Sequence, residues 1–131
     1  MRALFDINVL VAAFITDGAC SRFLSLARRG KFKLFTCPVI ISELERVLSG
    51  KLGASSEQVR TAISLVLEAA EMVYPREYVF GLCRDKDDDL VISCALAAEV
   101  DYLVTGDKDL LDLDSPFPFK IVSPKTFRTL L

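Results

Sequence analysis

Four acidic residues, Asp6, Glu43, Asp88 and Asp107, stand where apolar runs stop or where helices begin, and the chain contains no histidine to share chemistry with them. The run "RALF" stops at Asp6 and "DYLVTG" at Asp107; "DKDDD" carries Asp88 into an apolar segment, and Glu43 lies near the start of "PVIISELERVL". Carboxylates are acceptor-only oxygen ligands. Several in one pocket repel one another unless shared protons, arginines or a hard divalent cation offset the charge. Histidine is the usual base of catalytic triads and a common ligand of zinc, copper and non-haem iron, so those mechanisms fit poorly. The four cysteines, Cys20, Cys37, Cys83 and Cys94, lack CxxC spacing and read as free buried thiols rather than as a zinc site or a disulfide framework. Mg2+ or Mn2+ suits an all-oxygen donor set. Such an ion lowers the pKa of a bound water, orients it and neutralises charge on a phosphoryl group, which is what phosphodiester hydrolysis requires.

Taken singly, each acid has an ordinary reading. An aspartate at a strand end is most often a turn or cap residue, "DKDDD" is a good solvated helix start, and Glu43 beside Glu45 and Arg46 matches plain surface charge. Joint placement is what points to a site, and that depends on the elements around them. "RALFD" reads as strand and turn, "NVLVAAFI" as a helix start, "ACSRFLSLARRG" as a helix stopped at Gly30, and "KFKLFTCP" as a second strand. A helix then starts near Pro38, with Ile40, Ile41, Leu44, Val47 and Leu48 recurring at steps of three and four. "SSEQVRTAISLVLEAAEM" is a further helix with an N-cap serine, leading into a short apolar "MVYP". A helix over "DKDDDLVISCALAAEV", a strand in "DYLVTGD", a Pro-rich turn "SPFPF", a strand "KIVS" and a short helix from Pro124 complete the chain. Strands alternating with helices predict a three-layer α/β/α sandwich around a parallel sheet, whose sites lie at the carboxyl ends of the strands.

With 131 residues, 52% hydrophobic, and a net charge of -2, the chain reads as one compact soluble domain over 1–131. Its apolar stretches are too short to cross a bilayer and "MRALFDINVLVAAF" lacks a secretory cleavage pattern, so a cytoplasmic location without membrane attachment is expected. The charge gives no global attraction to a polyanion. Arg22, Arg28, Arg29, Lys31 and Lys33 form the densest basic stretch, which reads equally as a nucleic-acid contact and as an ordinary helix C-terminus.

In order along the chain, "LFDINVLVAAF", "SELERVL", "CRDKDDDLVISCALAAEVDYLVTGDKDLL" and "IVSPKTF" resemble the PIN domain family, specifically the small prokaryotic PIN proteins that include VapC-type toxins. The resemblance spans essentially the whole chain. It implies a Rossmann-like sheet and a metal-dependent ribonuclease whose acids would be Asp6, Glu43, Asp88 and Asp107, binding Mg2+ or Mn2+. Asn8, Ser42 and Thr105 would be supporting polar groups, Asp85 a further supporting acid, and Asp109 an acid able to approach the metal from its turn. Aligning on Ala95 selects Asp88, whereas counting back from Thr105 selects Asp89, and both registers stay open. The implied reaction is in-line attack of an activated water on an RNA phosphodiester, with single-stranded or structured RNA as substrate. The resemblance also implies an antitoxin partner and a homodimer, and Val39, Ile40, Ile41, Leu65, Val66 and Leu67 supply more apolar surface than one buried stripe needs. Two other classes compete. A haloacid-dehalogenase-like phosphatase would use Asp6 as nucleophile but needs an acid where Asn8 stands, and a non-catalytic PIN-like interaction module would leave the acids unused.

Overall fold

A computed structural model describes residues 1–113 and 117–131. The chain runs β1 (Arg2–Phe5), α1 (Ile7–Ile15), α2 (Ala19–Arg28), β2 (Lys33–Thr36), α3 (Pro38–Ser49), α4 (Ser56–Ala69), β3 (Ala70–Met72), α5 (Lys86–Ala98), β4 (Tyr102–Val104), α6 (Lys108–Leu111), β5 (Lys120–Val122) and α7 (Pro124–Thr129). The strands form a five-stranded sheet in the order β3-β2-β1-β4-β5 with parallel neighbours throughout, the three-layer α/β/α arrangement the alternation predicts. Among the described residues no single helix is long and apolar enough to cross a bilayer.

Local chemistry explains the boundaries. Ser55 and Gln58 form a capping box at the start of α4, Pro38 opens α3 where its missing N–H costs nothing, and Asp6, Asp85 and Asp107 cap α1, α5 and α6. The central strands carry uninterrupted apolar side chains because both sheet faces are covered: Ala3, Leu4, Leu103 and Val104 are fully buried. One core cluster is aromatic. Phe127 of α7 meets Phe5, Phe23 and Phe32 edge-on at 5.6, 5.3 and 5.1 Å, locking α7 against α2 and β1.

Two expectations change. The helix expected over "SSEQVRTAISLVLEAAEM" stops at Ala69, and the residues after it form β3, Ala70–Met72, pairing Leu34 with Ala70 and Thr36 with Met72. Cys37 and Cys94 are bonded to each other as a disulfide, which corrects the reading of four free thiols. A separation of 57 residues hid that pairing, since local spacing says nothing about contact between α3 and α5. The Pro-rich turn falls partly on residues 114–116, outside the described residues.

Strand order fixes where a site belongs. From β1 the chain moves outward through β2 and β3, then returns to β4 and β5 on the other side, so the sheet has its switch point between β1 and β4. In open parallel sheets ligands bind in the crevice outside the carboxyl ends at that point. Asp6 follows β1 and Thr105 to Asp107 follow β4, with Phe5 paired to Val104 and the Asp6 N–H donating to the Val104 carbonyl at 2.9 Å.

Candidate active site

Asp6 is 3% exposed, and every visible demand on its carboxylate is met. Oδ1 accepts from the Ile7 N–H at 2.8 Å, while Oδ2 accepts from Thr105 Oγ1 at 2.8 Å and from Asn8 Nδ2 at 3.1 Å. Burial raises the Asp6 pKa, aided by the charge of Asp107, and outweighs the opposing pull of these donors. Thr105 is wholly buried; its hydroxyl donates to Asp6 and accepts from the Asp107 N–H at 3.0 Å. Asn8 Oδ1 accepts from the Gly106 N–H at 2.8 Å, so one amide side chain joins the β1–α1 corner to the β4–α6 corner. Thr105, Gly106 and Asp107 thereby close one wall of a pocket whose other wall begins at Asp6.

Helix α5 adds the next acids. Asp85 caps it by accepting from the Asp87 N–H at 2.9 Å. Asp88 is buried beside Asp107 and Asp6, and its pKa is pushed up to about 7, first by burial and then by the charges of Asp107, Asp6 and Asp85. Asp89 is turned elsewhere: Oδ2 accepts from the Gly81 N–H at 3.0 Å and Oδ1 from the Cys83 N–H at 2.9 Å. Both its oxygens are therefore occupied by backbone, while Asp88 faces a cavity of about 210 Å3 lined by Asp6, Ile7, Asn8, Val39, Ile40, Glu43, Asp85, Asp87, Asp88, Val91 and Asp107.

Of the residues singled out from sequence, Asp6, Asn8, Glu43, Asp85, Asp88 and Asp107 line this cavity, and Thr105 supports it from beneath. Ser42 and Asp109 are exposed and outside the lining, and Asp109 contributes only its backbone N–H, to Asp107 Oδ1 at 3.0 Å. Asp87, not singled out, does line it; its place one residue before Asp88 in the first turn of α5 was the available signal. Glu43 accepts from Arg46 Nε and Nη2, one on each carboxylate oxygen, which lowers its pKa. The basic stretch ends at the opposite edge: Lys33 begins β2, pairs in register with Arg2, and forms an ion pair with Glu71 at 3.2 Å. A four-residue parallel strand thus separates Lys33 from the acids.

Among the described residues, no three acids or cysteines stand close enough to hold a metal ion as placed. The donor set still fits a hard divalent cation in kind. It is all carboxylate oxygen, and Asp88, its pKa raised first by burial and then by the charges of Asp107, Asp6 and Asp85, stands among negative charges that such an ion would relieve.

A parallel α/β sandwich with a carboxylate-lined cavity at its topological switch point is the class that this geometry defines. A PIN domain family model matches residues 2–109, and the chain belongs to that family, whose members are as a class nucleases. No curated protein matches the chain. Among solved structures it is similar to the crystal structure of VapBC2 from Rickettsia felis bound to a DNA fragment from their promoter, with 16% identity, a TM-score of 0.67, and coverage of 94% of this chain and 98% of that one. At that identity the likeness is one of fold.

Proposed function

We propose that the chain is a divalent-cation-dependent endoribonuclease and the toxin of a toxin–antitoxin pair, acting in the cytoplasm. The observation that carries the reading is the convergence of Asp6 after β1, Asp107 after β4 and Asp88 in the first turn of α5 on one cavity, where burial and then the neighbouring charges raise the Asp88 pKa. Mg2+ or Mn2+, held by Asp6, Asp88, Asp107 and Glu43, would supply a bound water of lowered pKa and positive charge at the phosphoryl group. The chain's own residues do the positioning. Thr105 and Asn8 hold the Asp6 carboxylate in one orientation, the α6 cap fixes Asp107, and Asp85 holds the first turn of α5 so that Asp88 faces the cavity. No covalent intermediate is required, because a water delivered in line to the phosphodiester suffices. A phosphatase of the haloacid-dehalogenase kind finds no support: Asn8 holds the place its acid/base would need, and both ends of its amide are committed to Asp6 and Gly106.

Purified protein is expected to cut RNA with Mg2+ or Mn2+ and to stop in excess chelator. Asp6→Asn and Asp107→Asn should each abolish cleavage, since an amide keeps the shape but loses the ligand charge. Cleavage that persists in chelator sinks the reading, and binding to a partner without cleavage under any divalent ion would favour the interaction-module class.

A protein partner and self-association are supported by apolar surface left over after the core is filled. Ile40 and Val66 are buried, but a groove of about 540 Å3 between α1, α3 and α4 is lined by Phe14, Ile15, Leu48, Leu52 and Leu65, with Ile15 57% exposed. Sedimentation is expected to show a homodimer at tens of micromolar; monomer alone at that concentration refutes it. The product of the neighbouring gene is expected to bind the chain and suppress cleavage, and the antitoxin reading falls if it does neither.

A further inference from the structure

Cys37 and Cys94, wholly buried and bonded to each other, stand at matching places on two helices that carry acids into the cavity. Cys37 is the N-cap residue of α3, yet its side chain makes no capping hydrogen bond; its sulfur is committed to α5 instead. Counted forward from Cys37, Ile40 and Glu43 follow at steps of three, and counted back from Cys94, Val91 and Asp88 do the same. All four of those residues line the acidic cavity. Residues three apart are neighbours on a helix surface, and six residues cover about 9 Å of its axis. The bond therefore joins two walls of the cavity within about two turns of their acids, with Ile40 and Val91 in between.

Among the described residues no hydrogen bond or ion pair runs between α3 and α5. Side-chain hydrogen bonds of α3 stay within that helix, and those that reach α5 come from its own first turns, from residues 79–83 and from Arg2. Packing of Ile40 and Val91 is non-directional and leaves the two helices free to slide by fractions of their own side-chain spacing. The disulfide is thus the one directed tie between the wall that carries Glu43 and the wall that carries Asp88. Affinity for a metal ion depends on how firmly the groups behind its ligands are held.

We propose that the Cys37–Cys94 bond is a positioning element of the acidic site: it holds the α3 wall against the α5 wall, so that affinity for a divalent cation depends on the redox state of this pair. The proposal rests on the metal-dependent reading of the site and adds a residue pair outside its lining. Opening the bond takes two electrons and two protons from a dithiol, which itself becomes a disulfide, and leaves two thiols; hydrogen peroxide closes it by accepting both electrons and both thiol protons and leaves as two waters. In a cytoplasm, the compartment proposed above, such bonds are usually transient. Calorimetric titration with Mn2+ needs neither RNA nor turnover. Parent protein closed by peroxide is compared with parent opened by a phosphine and desalted under argon, both shown to be folded by circular dichroism well below their melting temperatures. The reduced form should bind Mn2+ about 10-fold more weakly, and closing the bond again should restore the affinity. A Cys37→Ala, Cys94→Val double variant, which keeps both positions apolar without the bond, should bind as weakly as the reduced parent and respond to neither reagent. Equal Mn2+ affinity in the two forms of the parent overturns the proposal and leaves the bond a stabiliser of the fold, read only in Tm. A double variant that binds as tightly as the closed parent overturns it too, as does a peroxide-treated parent that still titrates four thiols. RNA cleavage with equal Mn2+ affinity in both forms keeps the nuclease and removes the positioning role, whereas redox-dependent Mn2+ binding on a protein that cuts no RNA does the reverse.

Discussion

Asp88→Asn should stabilise the metal-free protein at high pH, and the amount follows from the burial of Asp88 and the acids crowded around it. The carboxyl of Asp88 is held at about 7 rather than at its ordinary 3.8. Between those values the folded chain carries a proton that the unfolded chain has lost, so folding stability falls as pH rises through this window, and the full loss is present above about 7. The displacement corresponds to about 4 kcal/mol at most. Because the group opens onto a solvent-filled cavity, screening brings the expected figure to about 2 kcal/mol. Asparagine keeps the shape, carries no charge and can still donate a hydrogen bond toward Asp107, so it should recover most of that at pH 8 and almost nothing at pH 4. In a chain of this length about 2 kcal/mol is roughly 8 °C in Tm. Thermal melts in chelator at pH 4, 6 and 8 give the comparison, and adding Mn2+ at pH 8 should then raise the parent's Tm more than the variant's. A Tm difference independent of pH, or a variant less stable than the parent at pH 8, would refute the idea that Asp6, Asp107 and Asp88 share one field.

Thr105→Val removes the donor to Asp6 and the acceptor for the Asp107 N–H, and should cost about 1–3 kcal/mol in urea denaturation while also lowering cleavage. Thr36→Val should be neutral or stabilising by up to about 1 kcal/mol in the same assay, because the Thr36 hydroxyl is buried with no partner. Reducing the Cys37–Cys94 bond, which closes a separation of 57 residues, should lower stability by up to about 4 kcal/mol, read as a fall in Tm with dithiothreitol that a Cys37→Ala, Cys94→Ala double variant does not show.

What the sequence determined by itself was mostly short in range. Alternation of apolar runs and helical periods settled the α/β class, and side-chain caps such as Ser55, Asp85 and Asp107 set helix starts, because these signals act within about one turn. Asp6 and Asp107 were legible as a pair for the same reason: each ends an apolar strand run, and parallel strands put their carboxyl ends on one edge. Tertiary structure decided everything that required two distant elements to meet. Asp88 and Asp89 are about 100° apart on one helix, and only the segment at Gly81 and Cys83, lying along one side of α5, turns Asp89 to backbone and leaves Asp88 to the cavity. The partner of Glu43, the bond between Cys37 and Cys94, and the distance of Lys33 from the acids were likewise fixed by packing. Local spacing specifies which residues share an element and a face; which faces confront one another is set by how helices of different length and strands of fixed twist close over a common core.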